Sequence, residues 1–184
     1  PSDGKIFVWN NSDLTATTGV LLTVDPSTGL ASKVNPSAAN QGTLGALAFT
    51  PDGELYGLEY DLFKVGLTTG EKTSIGTISD GVTNYRIFGA DFDSHGVLYG
   101  LSGDNYLMTI NTTTGAAILI GKLDVDIGTP GSIIFEASGR LIGSGFGSSL
   151  GNILFEIDPA NGKVSNTVVL SGGFAPQGLG LAFK

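Results

Sequence analysis

The chain of 184 residues has no cysteine, one histidine, one methionine and one tryptophan. Without cysteine there is no disulfide scaffold, and the redox compartment is left open. A single histidine, His95, cannot build the usual multi-histidine metal site. Together these absences remove the parts for a nucleophilic triad or a catalytic zinc. Basic residues number nine against 17 acidic ones, for a net charge of −8, and they form no cluster. Nucleic acid and anionic membrane surfaces are therefore not expected as partners. No apolar run approaches the roughly 20 residues of a membrane-spanning helix, so membrane insertion is not expected either. No window of a dozen residues keeps a 3.6-residue period free of Gly and Pro, which leaves no candidate helix. Phosphate-loop, H-E-x-x-H and G-x-S-x-G motifs are all missing.

What the chain does contain is glycine, 29 residues of it, and an apolar fraction of 41%. Disorder is excluded by that apolar content and by the low charge density. The stretch "LYGLEYDLFKVGLTTGEKTSIG" (55–76) is nearly restated as "LYGLSGDNYLMTINTTTGAAILIG" (98–121). A recurrence at this distance marks a structural unit. Each unit opens on a run ending in Phe49, Phe92, Phe135 or Phe183, with a small residue three positions earlier at Ala46, Gly89, Ser132 and Gly180. A glycine turn follows ("TPDG", "DSHG", "EASG" and, at the start, "SDG"), then three further short apolar runs. The runs are rich in Val, Ile, Leu, Phe and Tyr and bounded by Gly, Pro, Asn or Asp, which is the strand-and-hairpin signature. Asp52-Gly53 and Asn161-Gly162 are strong hairpin signals, because such turns need residues that tolerate positive φ.

The unit is thus a four-stranded antiparallel meander. The glycines that close its third run, Gly29, Gly70, Gly115 and Gly162, are spaced 41, 45 and 47 residues, the period of a propeller blade at roughly 40 to 50. The expected fold is all-β, a small β-propeller of four blades with four antiparallel strands each. The chain ends on a lone first run, "LGLAFK", and begins on "PSDGKIFVW", a turn and second run with no first run before it. Joined, they match "LGALAFTPDGELYGL", so one blade is expected to be closed by both termini, which leaves no ragged sheet edge. The single domain 1–184 then divides into repeats at about 1–42 plus 178–184, 43–86, 87–130 and 131–177. Two chains forming an eight-bladed ring is the alternative closure. The start at Pro1 suggests a processed product or an excised domain.

The "LYGL…LMTINTTTGAAILIG" wording resembles the repeats of bacterial secreted β-propellers of the YVTN/NHL-like and quinoprotein-like kind, over essentially the whole chain. In blade number the chain is similar to hemopexin-type domains, without their repeat wording. The resemblance implies a fold and an extracellular or cell-surface location. It implies no catalytic residue, because such propellers include lactonases, lyases, adhesins and scaffolds.

Loops entering the innermost strand and loops joining the second and third strands share one face, where ligands usually bind. They gather Tyr60, Asn84, Tyr85, Arg86, Asn105, Tyr106, Phe146, Phe174 and Gln177. Aromatic rings among amides suit sugar rings or peptide segments. The bland alternative is that these aromatics plug the mouth of a small channel. Asp91 stands where Ala48, Ile134 and Ala182 stand in the other units, an acid on an innermost strand. It needs a charged partner, a donor or a metal; Arg86 at the head of the same run is one candidate partner and a channel cation is another. Asp124-x-Asp126 is a second possible set of hard-cation oxygens, set against a solvated outer strand. His95 reads as turn filler. Asn10 and Asn111 head N-x-[ST] sequons, which matter only if the source glycosylates. The leading expectation is a non-catalytic extracellular module, with protein or carbohydrate bound on its loop face, possible self-assembly or tandem placement, and no cofactor. The rival is a metal-assisted hydrolase or lyase of the lactonase-like propeller kind, with calcium or another hard cation.

Overall fold

The computed structural model describes residues 4–11, 19–37, 39–149 and 151–171. Fifteen strands follow one another without a helix among these residues: β1 (Ile6–Asn10), β2 (Val20–Val24), β3 (Ala31–Lys33), β4 (Ala46–Phe49), β5 (Leu55–Leu58), β6 (Asp61–Val65), β7 (Lys72–Thr77), β8 (Ile87–Phe92), β9 (Leu98–Ser102), β10 (Tyr106–Ile110), β11 (Ala117–Lys122), β12 (Thr129–Phe135), β13 (Leu141–Ser148), β14 (Gly151–Ile157) and β15 (Val164–Val169). They form four antiparallel sheets in sequence order, β1-β2-β3, β4 to β7, β8 to β11 and β12 to β15. The fold is a four-bladed β-propeller. Three blades show all four expected strands, and blade 1 shows three. The expected fourth strand of blade 1 (178–184) lies outside the described residues, as do Phe183 and the closure by both termini.

Glycine sets the turns as expected. Gly53, Gly96 and Gly139 close the first hairpins at φ of 95°, 81° and 86°. Gly29, Gly70, Gly115 and Gly162 close the third turns at φ between 69° and 80°. Each sits where an L side chain would be strained. The third turn is reinforced by its first residue: the Asp25 carboxylate accepts from the Ser27 N–H and hydroxyl, and the Asn111 amide oxygen accepts from the same two groups of Thr113. The Asn111 sequon therefore occupies an exposed structural turn. Asn10 ends β1, and its sequon runs into residue 12, outside the described residues.

The blades pack through three apolar clusters. Blades 1 and 2 meet around Trp9, Leu21, Leu44 and Leu55. Blades 2 and 3 meet around Leu58, Ile78, Ile87 and Met108. Blades 3 and 4 meet around Leu101, Ile127, Ile133 and Phe155. One aromatic contact recurs at the three interfaces. The third residue of a second run meets the terminal Phe of the next blade's inner strand: Phe7 with Phe49 at 5.7 Å, Tyr56 with Phe92 at 5.6 Å and Tyr99 with Phe135 at 5.0 Å between ring centroids. The run-ending Phe residues thus lie between blades, in all three that are described. Crowding at the inner strands is equally direct. A Cβ on Gly89 would stand 2.7 Å from the Ile133 nitrogen of the next blade.

The outer strands carry the other half of each interface. A β-bulge in β7 shifts the register between Leu62↔Gly76 and Phe63↔Ser74, and β11 repeats it between Leu107↔Gly121 and Met108↔Leu119. The bulge turns Ile75 and Ile120 onto the core. It also brings the following glycine against the third turn of the next blade, Gly76 against the Thr114 carbonyl and Gly121 against the Asn161 carbonyl, with no room for a Cβ. The repeated "Ile-Gly" of the sequence is this contact. Blade 1 makes its version with a side chain: Gln41 Nε2 donates to the Gly70 carbonyl at 2.8 Å, and Gln41 Oε1 accepts from the Lys72 N–H.

Candidate functional site

Loops joining second to third strands and loops leading from an outer strand to the next inner strand emerge at the same end of the sheets. Around blade 2 they form one rigid unit. Ile78 N–H donates to the Tyr60 carbonyl, Tyr85 N–H to the Ile78 carbonyl and Ile87 N–H to the Glu59 carbonyl. Asp80 caps the loop 80–85, its carboxylate accepting from the Val82 and Thr83 N–H groups and from the Tyr85 hydroxyl. These donors, Thr83 first, hold the Asp80 carboxyl below the usual carboxylate range.

The expected loop-face residues divide within this frame. Tyr60 is half exposed and Asn84 is exposed, while Val82, which the sequence reading missed, is 93% exposed. Arg86 reaches the surface too, but it pairs with Glu59 (Nε–Oε1 2.6 Å) and stacks on Phe88. Tyr85 is only 5% exposed. Its ring belongs to the core and packs edge-on against Tyr106 at 6.3 Å. This corrects the expectation that it faces a ligand. Tyr106 is half-buried with the Lys122 ammonium over its ring. Asn105 holds φ of 66° in the β9–β10 turn, and its amide oxygen is buried without a partner. Phe146 is half-buried on β13, in the fourth blade. Phe174 and Gln177 lie outside the described residues.

Asp91 answers to neither of its two expected partners. Arg86 is committed to Glu59, at the opposite end of β8. The Asp91 carboxylate instead accepts the Phe92 N–H (2.9 Å) and, across the blade interface, the Phe135 N–H of β12 (2.7 Å). Burial pushes its pKa up, and the two N–H donors oppose that rise. Asp124 and Asp126 do not share one extended face either, because β11 ends at Lys122. Asp124 accepts the Val164 N–H of β15, and Asp126 accepts the Gly128 and Ser149 N–H groups. The three carboxylates thus reach different elements, and no trio of metal-ligating side chains converges among the described residues.

Clefts open on the opposite face too, and two of them adjoin. One, of about 400 Å³, lies between the hairpin turns of blades 2 and 3 and is lined by Asp52, Glu54, Tyr56, Phe92, His95 and Thr112 among others. The second, of about 190 Å³, lies between the turns of blades 3 and 4 and includes Asp93, His95, Tyr99, Phe135, Glu136 and Pro159. His95, largely exposed, stands on the turn between them, its Nδ1 3.7 Å from Asp93 Oδ2. No sequence motif marks these clefts, because each is assembled from turns a whole repeat apart.

No family model matches the chain, and no curated protein matches it in sequence. Solved structures do. A protein of unknown function from Bacteroides thetaiotaomicron superposes with a TM-score of 0.64 at 16% identity, over 88% of this chain and 40% of its own. Virginiamycin B lyase from Staphylococcus aureus gives 0.54 at 12% identity, over 92% and 53%. A gluconolactonase from Xanthomonas campestris gives 0.50 at 19% identity, over 73% and 44%. At these identities the likeness is one of fold. The chain spans about half the length of these relatives.

Proposed function

We propose that this chain is a non-catalytic extracellular module, of the secreted propeller-repeat kind its wording resembles, that binds or assembles through its loop face. What supports the reading is the 93% exposure of Val82 and the half-exposed ring of Tyr60, on loops whose backbone is already tied by hydrogen bonds. Apolar groups held rigidly in water gain by burial and lose little freedom on binding. The partner is a protein segment or a carbohydrate that stacks on Tyr60 and hydrogen-bonds Asn84. Self-assembly or tandem placement of such modules fits the same face, and no cofactor enters. The double variant Tyr60→Ala, Val82→Asp tests this on peptide and glycan arrays. Array signals should disappear while the melting temperature stays within a few degrees; signals that persist would exclude the loop face.

A second reading, a metal-assisted hydrolase or lyase, is favoured by the two fold relatives whose names carry lyase and lactonase activity. Its calcium or other hard cation would share Asp91 with the two N–H groups that the carboxylate already accepts. Metal analysis and melting with and without EDTA separate the readings. A large chelator shift supports the second.

A further inference from the structure

The two adjoining clefts on the face opposite the loops are one design repeated. Each is walled by the hairpin turns of two consecutive blades and by the third turn of the second blade, Thr112 in one cleft and Pro159 in the other. Each contains an inter-blade aromatic pair, Tyr56–Phe92 or Tyr99–Phe135. They adjoin at Ser94 and His95, which line both. The walls are rigid. Asp93 Oδ1 accepts the His95 and Val97 N–H groups, the Thr50 hydroxyl bridges to Asp52 and the Glu54 N–H, and Glu136 clamps Arg140 at 2.9 Å through both carboxylate oxygens.

The electrostatics select the occupant. Apart from the two tyrosines, the titratable groups lining the clefts are Asp52, Glu54, Asp93 and Glu136 against His95 alone. Lys64 offsets Glu54 and lies within Coulombic reach of Asp52, and Arg140 offsets Glu136, both from outside the lining, so the four lining carboxylates still outnumber the two cations beside them. The whole chain adds a field of −8.

We propose that this double cleft is a second binding surface, independent of the loop face, for an extended peptide segment carrying lysine or arginine side chains. One basic side chain enters each cleft across the His95 turn. Its aliphatic stem lies along the half-buried Tyr99–Phe135 pair in one cleft and along the rim of the Tyr56–Phe92 pair in the other, and its charged head meets Asp52 or Asp93. A neutral sugar would stack on the rings and donate its hydroxyl groups to the carboxylates, but its binding would not weaken as salt rises.

Fluorescence anisotropy with a labelled decapeptide of alternating Lys and Ala tests the proposal, with the Glu/Ala decapeptide as control. The wild-type protein should bind the Lys peptide, should weaken as salt rises, and should ignore the Glu peptide. Ser94→Arg places a cation in both clefts at an exposed turn position and should weaken binding about a hundredfold or more. Asp52→Asn should weaken it about tenfold, and the remote, exposed Glu71→Gln by less than twofold. Unchanged melting temperatures confirm that the variants fold. Equal losses in Asp52→Asn and Glu71→Gln would reduce the effect to net charge and overturn the proposal. Absence of binding by the wild type, or binding untouched by Ser94→Arg, would overturn it as well.

Discussion

Asp91 carries a carboxylate where the other inner strands carry Ala48, Ile134 and Ala182. Its work is to cap a backbone donor, the Phe135 N–H, on the free edge of the neighbouring blade's inner strand. Asp91→Ala should therefore cost about 1–3 kcal/mol, the penalty of a buried donor left unpaired. Asp91→Asn keeps an acceptor and sheds the charge, so it should cost less than Ala at neutral pH. The sign of the pH effect follows from the raised pKa. A carboxyl that titrates higher in the fold than in the unfolded chain contributes most below the ordinary value of 3.8. That contribution is lost as the pH rises through the raised folded value. The stability difference between wild type and Asp91→Asn should then shift toward wild type as the pH is lowered from neutral to about 4. Urea melts of the three proteins across that range measure it; a difference that does not move with pH would mean that Asp91 is not desolvated.

At the scale of strands, the aromatic pairs and the bulges make separate predictions. Phe92→Ala removes a side chain only 7% exposed and should cost about 3–5 kcal/mol in denaturant melts. Phe49→Ala and Phe135→Ala remove half-buried rings from equivalent pairs and should cost less than Phe92→Ala but well above zero. Gly76→Ala and Gly121→Ala should each cost about 1–3 kcal/mol, and by similar amounts, because both force a methyl against a carbonyl of the next blade. The strands were legible beforehand because their signals are local. Glycine at positive φ, Phe at the run's end and the small residue before it can each be read within a few residues. The partners were not legible. The Asp91 acceptor meets a main-chain N–H 44 residues away, which any residue but proline supplies. Arg86 found Glu59, 27 residues back, in place of the acid on its own strand. Tyr85 and Tyr60 look alike in sequence, yet one ring is core and the other surface, since only the loop's path around Asp80 distinguishes them.

For the molecule as a whole, closure is the open quantity that an experiment reaches most simply. Ile6 and Val8 on β1 are 44% and 41% exposed, whereas Leu55, Leu98 and Leu141, the counterparts of Ile6, are at most 1%. Deleting residues 178–184 should cause aggregation or loss of the folded state, seen by light scattering and circular dichroism. A truncated protein that stays monomeric with an unchanged melting temperature would refute closure by the C-terminal run. The outer contacts bear on a different matter. Blades 2 and 3 each offer an Ile-Gly bulge to a glycine turn of the next blade, so that neighbours are joined by two unlike surfaces. Such head-to-tail contact is heterologous: it forms a ring where the rotation per step closes and an open stack where it does not. Nothing in Gly76 or Gly121 identifies which turn it meets, since each touches a main-chain carbonyl common to every unit. Blade count is then a property of the angle between neighbours and not of any mutual recognition among them. A repeat copied in frame would be admitted by its neighbours, and only the ring as a whole could reject it.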